Sequence, residues 1–367
     1  MRILHISSAK TFGGGEKHLV DLCRGLSESG HKVFVAIRPT CEWREKLSFL
    51  PSENILNVSI RNSFGLLSSK KISKFVKANN IEIIHAHLGR DYITASIVAR
   101  LVSPLHCVLT RHVLFQLKTF NKFILTNVDR VIAVSEDVRL SLAGVFENRK
   151  VRVIYNGSPS SPKTESERMM QRRLMREKFG FDDAQLLIGV IGTISEIKGQ
   201  DIAVGALEAL PDTDKTTLLI IGKGEAPKTA FEDELIKAAV LIGNDKEIRF
   251  IDYSEDIESL ICGLDVVLSP SRSESFGLVM LEALFAGVPV VATPTRGARL
   301  LLDQGQCGYI AKDFSSVAVA EAMKECLGDA KGRTEKLSRA KNRAAEFFTL
   351  ERMVEKTEAV YWELVKN

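Results

Sequence analysis

Ser269-Pro-Ser-Arg-Ser-Glu274-Ser-Phe-Gly-Leu-Val-Met-Leu-Glu282-Ala-Leu-Phe-Ala-Gly-Val-Pro289-Val-Val-Ala292 is the stretch whose reading decides the fold. The apolar run Val266–Leu268 before it reads as a buried strand that delivers Pro270, and a serine-rich turn then presents Glu274. A helix is expected to begin near Phe276–Leu278, which puts Glu282 about one turn in, near the same mouth as Glu274. Val288–Ala292 reads as the next strand. Strand, turn, helix and strand in this order make a unit of a parallel sheet covered on both faces. The backbone amides of Phe276, Gly277 and Leu278, at the helix start, suit phosphate or sugar oxygens.

The same alternation runs outward in both directions. In the second half, strands are expected at Leu186–Ile191, Leu218–Ile221 and Ile248–Ile251, besides the two already named. In the first half they are expected at Ile3–Ile6, Val33–Ile37, Ile81–His85, Cys107–Thr110, Val131–Val134 and Val151–Ile154, with helices at Glu16–Glu28, Lys70–Ala78, Tyr92–Leu101 and Glu136–Gly144. Two such series predict two doubly wound α/β domains. The turn-forming stretch Asn156-Gly-Ser-Pro-Ser-Ser-Pro-Lys-Thr164 is read as the linker, which gives domains at 1–158 and 159–349. Glu165–Phe179 opens the second as a charged helix, and Leu350–Val365 is an amphipathic terminal helix within 350–367.

Composition narrows the function classes. The 367 residues are 45% hydrophobic and 26% charged, as in a globular chain, and no apolar run approaches the roughly 18 residues of a membrane span. Met1-Arg-Ile-Leu-His-Ile-Ser7 runs straight into a strand, so no signal peptide is expected. Six scattered cysteines without a C-x-x-C pair argue against zinc ribbons and disulfide frameworks and fit a reducing cytosol. Residues 1–158 carry 23 Lys+Arg against 12 Asp+Glu, a balance of +11, while the remainder carries 27 against 34, a balance of −7. A basic half suits an anionic partner such as a phosphorylated substrate or a membrane face, or else is an ordinary solvated surface. Its basic residues are dispersed without stacking aromatics in a recognisable module, which argues against nucleic acid.

Two glycine-rich turns carry candidate ligand-binding chemistry. Phe12-Gly-Gly-Gly-Glu16 follows the first strand, and Gly14 and Gly15 would line a diphosphate or form a plain tight turn. His18 stands where a third glycine of the dinucleotide fingerprint would be, which weakens a nicotinamide reading. In the second half, Gly192-Thr193-Ile-Ser-Glu-Ile-Lys198-Gly199 follows strand Leu186–Ile191, so Lys198 sits on the loop where open α/β sheets bind ligands. A lysine there neutralises diphosphate charge without metal. The histidines lack ligand spacing apart from His85-x-His87, and no Asp-x-Asp appears where a diphosphate-bound divalent ion would need it, so neither metal nor cofactor is expected.

The Glu274-to-Glu282 block resembles the Glu-(seven residues)-Glu signature of retaining glycosyltransferases of the GT-B fold, family 4. Gly13-Gly-Gly-Glu16, His85-Ala-His87, Arg111-His112, Ala133-Val-Ser-Glu136, Asn156-Gly157, Lys198-Gly199 and Gly222-Lys-Gly224 agree with it in order, over nearly the whole chain. The resemblance implies two Rossmann-like domains facing across a cleft, the N-terminal one for the acceptor and the C-terminal one for a nucleotide-sugar donor, with the terminal helix packing back on the N-terminal domain. It implies that Glu282 binds the donor ribose hydroxyls and that Glu274 contacts the transferred sugar. The amides of Phe276, Gly277 and Leu278 grip sugar hydroxyls and the β-phosphate, Lys198 neutralises the diphosphate, and His112 faces the sugar.

The implied reaction is metal-independent transfer with retention. UDP is the usual nucleotide, and the acceptor a lipid-linked or saccharide hydroxyl of the cell envelope, met in the cytoplasm or at the inner face of its membrane. Thr193 stands where the family usually has Arg, and Leu300 where it often has Glu. The first departure removes one cation from the diphosphate, for which Lys223 is a candidate substitute; the second removes a donor-side hydrogen bond. The alternatives on this fold are a nucleotide-sugar epimerase or hydrolase, and a weakened nucleotide-sugar-binding partner subunit.

Overall fold

The computed structural model describes residues 1–60, 65–159, 164–210, 216–224, 229–241, 246–252 and 257–366. The part of the expected linker at 160–163 lies outside them. The chain divides into two compact units, Met1–Pro159 with Phe348–Asn367, and Ser160–Phe347.

The first unit is a seven-stranded sheet of β1 (Arg2–Ser7), β2 (Lys32–Ile37), β3 (Ile55–Asn57), β4 (Ile83–Ala86), β5 (His106–Arg111), β6 (Arg130–Ala133) and β7 (Val151–Val153). Its order is β3-β2-β1-β4-β5-β6-β7, and every pairing is parallel. The crossovers carry α1 (Gly14–Glu28), α2 (Leu66–Ala78), α3 (Tyr92–Leu101), α4 (Asn121–Ile124) and α5 (Glu136–Ser141). β1, β4 and β5 are buried along nearly their whole length, which is why they read as continuous apolar runs.

The terminal helix Leu350–Val365 belongs to this unit. Met353, Val354, Val360, Tyr361 and Leu364 join the core formed by Ile3, Leu19, Leu22, Val33 and Val108. Gly25 makes that packing possible, since a Cβ there would lie 2.4 Å from Val354 Cγ2. Glu363 accepts from Arg130 at 3.2 Å and from Arg152 at 3.0 Å, fixing the helix over β6 and β7.

The second unit has β8 (Leu186–Ile191), β9 (Thr216–Ile221), β10 (Lys246–Ile251), β11 (Val266–Ser269), β12 (Val290–Ala292) and β13 (Tyr309–Ile310), in the order β10-β9-β8-β11-β12-β13, again all parallel. Its helices are α6 (Glu165–Phe179), α7 (Gln200–Glu208), α8 (Ala230–Val240), α9 (Ile257–Gly263), α10 (Leu278–Ala286), α11 (Arg296–Leu301), α12 (Ser316–Gly328) and α13 (Ala330–Phe347). Thr164 and Glu167 form a capping box at the start of α6, and Gly180 ends it in the left-handed conformation. In each sheet the strand order reverses beside the first strand, so the switch points lie between β1 and β4 and between β8 and β11. In open sheets, ligands bind outside the carboxyl ends of the strands at those points.

Candidate functional sites in the two units

In the second unit the loops at the switch point follow β8 and β11. The first passes through Gly192 and Thr193 into a single 3-10 turn, Glu196–Lys198, and reaches α7 through Gly199. Gly199 has φ +68°, and a Cβ on it would lie 2.2 Å from the Pro270 carbonyl oxygen, so the β8 loop presses directly against the β11 loop. The Arg272 backbone N–H donates to the Ile197 carbonyl at 2.8 Å, and its guanidinium donates to both Asp201 carboxylate oxygens at 2.8 and 2.6 Å and to the Glu196 carbonyl at 2.7 Å. Gln200, fully buried, donates to the Thr193 carbonyl and accepts from the Ser195 N–H.

This strap delivers Lys198 beside Glu274. The Lys198 Nζ donates to Glu274 Oε2 at 2.7 Å, with both side chains partly shielded from water. The Gly297 N–H donates to the Glu274 carbonyl at 2.9 Å, and a Cβ on Gly297 would lie 2.5 Å from the Phe276 carbonyl oxygen, so the start of α11 braces the turn from behind. Phe276 is buried and precedes the helix; Gly277 is its N-cap, with φ +98°, and no side chain caps the first turn. The amides of Gly277 and Leu278 thus open at the positive end of α10, and Glu282 lies just over one turn further.

The two departures from the family pattern have plain positions. Thr193 is exposed on the β8 loop. Lys223 lies on the next loop, where the Ile194 N–H donates to its carbonyl at 3.0 Å. Leu300 sits in α11, its carbonyl accepting from Arg343 at 3.0 Å.

In the first unit, Gly14 and Gly15 are the first two residues of α1, with Gly13 as a cap that supplies no side chain. A Cβ on Gly15 would meet nothing within 4 Å, so that helix start is open. Glu16 follows, mostly buried; burial raises its carboxyl pKa, partly offset by the Glu16 and Gly13 N–H groups. His112 comes one residue after β5.

The structure adds what spacing did not show: five histidines converge at this end of the first sheet. β1 and β4 pair His5 with His85, His87 follows two residues on, and His112 follows β5 two residues beyond Thr110. His18, in the second turn of α1, meets the His112 ring edge-on at a centroid separation of 4.6 Å. His85 is hydrogen-bonded through Nδ1 to the Tyr361 hydroxyl at 2.6 Å and through Nε2 to Thr110 Oγ1 at 2.7 Å. His5 Nδ1 and His87 Nε2 share a hydrogen bond of 3.0 Å. Burial lowers the pKa of every one of these rings, that of His5 to about 3 and that of His112, with help from Arg111, to about 4.

Several of these residues had no part in the site expected from the sequence. Asp201, Arg272 and Gly297 act through loop contacts that no local pattern announces. His5 and His18 had a signal in retrospect, since matching the ends of β1 and β4 aligns His5 with His85.

Comparison with known proteins agrees with this architecture. Residues 171–347 match the family described as glycosyl transferases group 1, and residues 12–159 match glycosyltransferase family 4. The chain is 23% identical over 319 residues to the N-acetyl-alpha-D-glucosaminyl L-malate synthase of Bacillus anthracis, covering 83% of this chain and 80% of that protein. It is 26% identical over 296 residues to the lipopolysaccharide core biosynthesis mannosyltransferase LpsB of Rhizobium meliloti, covering 78% of each. Among solved structures, Anabaena Alr3699/HepE in complex with UDP-glucose superimposes with a TM-score of 0.85 at 21% identity, over 99% of this chain and 100% of the other. Two matched regions that together span most of the chain, on two parallel sheets of the GT-B kind, place it in a family: the chain belongs to the glycosyltransferases of family 4 and group 1.

Proposed function

We propose that this glycosyltransferase moves a sugar from a UDP-sugar to an acceptor hydroxyl in the synthesis of a cell-envelope glycolipid, lipopolysaccharide or polysaccharide, with retention at the anomeric carbon. The observation that carries the reading is the Lys198–Glu274 contact of 2.7 Å beside the uncapped start of α10, at the switch point of the second sheet. A cation, a carboxylate and open amides are what a diphosphate joined to a sugar requires. UDP is supported by the UDP-glucose in the Anabaena structure, and an envelope acceptor by the lipopolysaccharide role in the name of the Rhizobium relative.

In this reaction the bond from the anomeric carbon to the β-phosphate oxygen breaks, and a bond to the acceptor oxygen forms on the same face. The acceptor proton passes to the departing phosphate, which leaves as part of UDP. Lys198 and the α10 amides stabilise the charge that grows there, without a divalent ion. Glu274 holds the transferred sugar, Glu282 the ribose, and His112 takes the place at the sugar that the family resemblance gives it. Gly14 and Gly15, at the open start of α1, line the diphosphate.

The acceptor is met at the inner face of the cytoplasmic membrane. Lys70, Lys71, Lys74 and Lys77 are exposed on α2 beside Leu66 and Leu67, and Phe115, Phe120 and Phe123 are exposed with Lys118 and Lys122. No helix among the described residues is long and apolar enough to cross a membrane.

A thermal-shift panel of nucleotide sugars tests the donor, because a ligand bound only by the folded chain raises its apparent stability. A shift with UDP and one UDP-sugar is expected, and no shift with any nucleotide sugar would remove the proposal. Turnover of the donor at full rate with no acceptor present would point to an epimerase or hydrolase instead.

A further inference from the structure

The donor site leaves most of the histidine cluster of the first unit unused. The ligand-capable nitrogens of His18, His87 and His112 lie within 4.8 Å of one another. His18 and His87 are each 3% exposed. Neither ring nitrogen of His18, nor Nδ1 of His87, makes a hydrogen bond of good geometry among the described residues, although the Asn156 side chain stands close enough to His18 to influence it. Buried polar atoms are almost always satisfied, so unsatisfied nitrogens converging from two rings need something to hold.

The other group within reach, His5, His85 and His87, is largely spent on the protein itself. Both nitrogens of His85 are bonded, to Tyr361 and Thr110. His5 Nδ1 is engaged by His87 Nε2 at 3.0 Å. That second bond leaves Nδ1 as the His87 nitrogen without a protein partner, and the tautomer in which Nε2–H donates to His5 puts a lone pair there. Ligating histidines are oriented in this way by a partner on the far nitrogen.

We propose that His18, His87 and His112 form a three-histidine site for a divalent transition ion of the zinc class, with a fourth position open. An all-imidazole donor set suits zinc and its neighbours and disfavours magnesium and calcium, which take oxygen ligands. His5 is the outer partner that orients His87. An ion held there engages the His112 ring, so it slows sugar transfer; this consequence rests on the role given to His112 under the proposed function.

The test uses the untagged full chain, stripped with chelator and dialysed. Zinc is titrated by calorimetry, and cobalt by the visible absorption of a low-coordinate Co²⁺ with nitrogen ligands. One ion per chain and that absorption are expected. His18→Gln and His87→Asn, each checked for a native circular dichroism spectrum, should weaken binding by at least about tenfold. His106→Gln, whose imidazole lies away from the cluster and near Asp129 at 3.7 Å, should leave binding unchanged.

A wild-type chain that gives no cobalt absorption overturns the site whatever the variants do. So does equal zinc affinity in folded His18→Gln and His87→Asn chains. Binding that leaves the transfer rate untouched keeps the site and overturns the inhibitory consequence. Because binding is read without any donor, its failure is separate from a failure of the transferase reading.

Discussion

Lys198 and Glu274 are ion-paired at 2.7 Å across two loops 76 residues apart in sequence. The pair joins the cation read at the diphosphate and the carboxylate read at the sugar, and each loop is held by the other. A donor's phosphate oxygens must compete with Glu274 for Lys198, so the ammonium is held close to where charge develops without being fixed to it. Lys198→Ala is therefore expected to lower kcat by about 10²–10³-fold, with a smaller change in KM. The pair is partly exposed, so its loss should cost little stability and the melting temperature should stay close to that of the parent chain. Steady-state kinetics with the donor found by thermal shift, next to a thermal melt, checks both halves. An unchanged kcat would remove Lys198 from the chemistry.

Glu282 offers a second, independent probe, because it lies on α10 rather than on the loops. Under the proposed function, Glu282→Gln replaces a charged acceptor of two ribose hydroxyls with a neutral one. Binding of UDP and of the UDP-sugar should weaken by about 1.5–3 kcal/mol, read by calorimetry. Equal affinities in the two chains would mean that the ribose sits elsewhere.

Gly277, at the start of α10, predicts a structural cost. Gly277 has φ +98°, and a Cβ on it would lie 2.2 Å from Met280 Cε. Gly277→Ala must strain the backbone and displace that methionine, so a loss of about 1–3 kcal/mol is expected in chemical denaturation. Gly15→Ala is the contrast, since its Cβ meets open space within a helix and Ala is the better helix former. It should leave stability equal or slightly improved, and a matching loss at both positions would contradict the geometry.

Where the chain was legible follows from how locally each feature is encoded. Strands β8 and β9 and helices α3 and α10 announced themselves because each buries several neighbouring apolar residues, whereas α6 showed by its charge and by the turn formers before it. β3 and β13 were not anticipated: Ile55-Leu-Asn57 and Tyr309-Ile310 lack the valine-rich runs that marked the equally short β7 and β12. In the site, Glu274, Glu282 and Lys198 stood out because a turn or helix start lies next to each in sequence. Asp201 and Arg272 did not, because their bidentate pair forms only once two crossovers bring the loops together. The histidine cluster needs strand register and the rotation of α1 as well, and neither can be read from spacing.

Metal dependence is the next expectation. Charge on the departing UDP is assigned to Lys198 and the α10 amides, so transfer should persist in excess EDTA. If zinc occupies the three-histidine site in the purified chain, EDTA should raise the rate rather than lower it. A rate that collapses with chelator and returns with magnesium or manganese would refute the electrostatic account.

Attachment to an anionic membrane, as proposed above, would rest on exposed groups of the first unit. On α2, Ile72 and Val76 are buried and Phe75 packs edge-on to Phe34, so these three are core and cannot serve a lipid surface. What α2 does expose is Leu66, Leu67 and its four lysines, Leu67 being 86% exposed. The segment after β5 differs: Phe115 is 67% and Phe123 73% exposed, with Lys118 and Lys122 also exposed. α3 links the two, packing on α2 and donating from Ser96 to the Ile124 carbonyl. Exposed aromatics beside lysines suit an anionic leaflet, where each cation contributes about 1 kcal/mol near the surface. Binding to vesicles should rise with the fraction of anionic lipid and fall with salt. Lys70→Glu, Lys71→Glu and Lys74→Glu together should weaken it electrostatically, whereas Phe115→Ser with Phe123→Ser should weaken it at every salt concentration. Equal failure to sediment with neutral and anionic vesicles at low salt would leave a water-soluble saccharide as the acceptor.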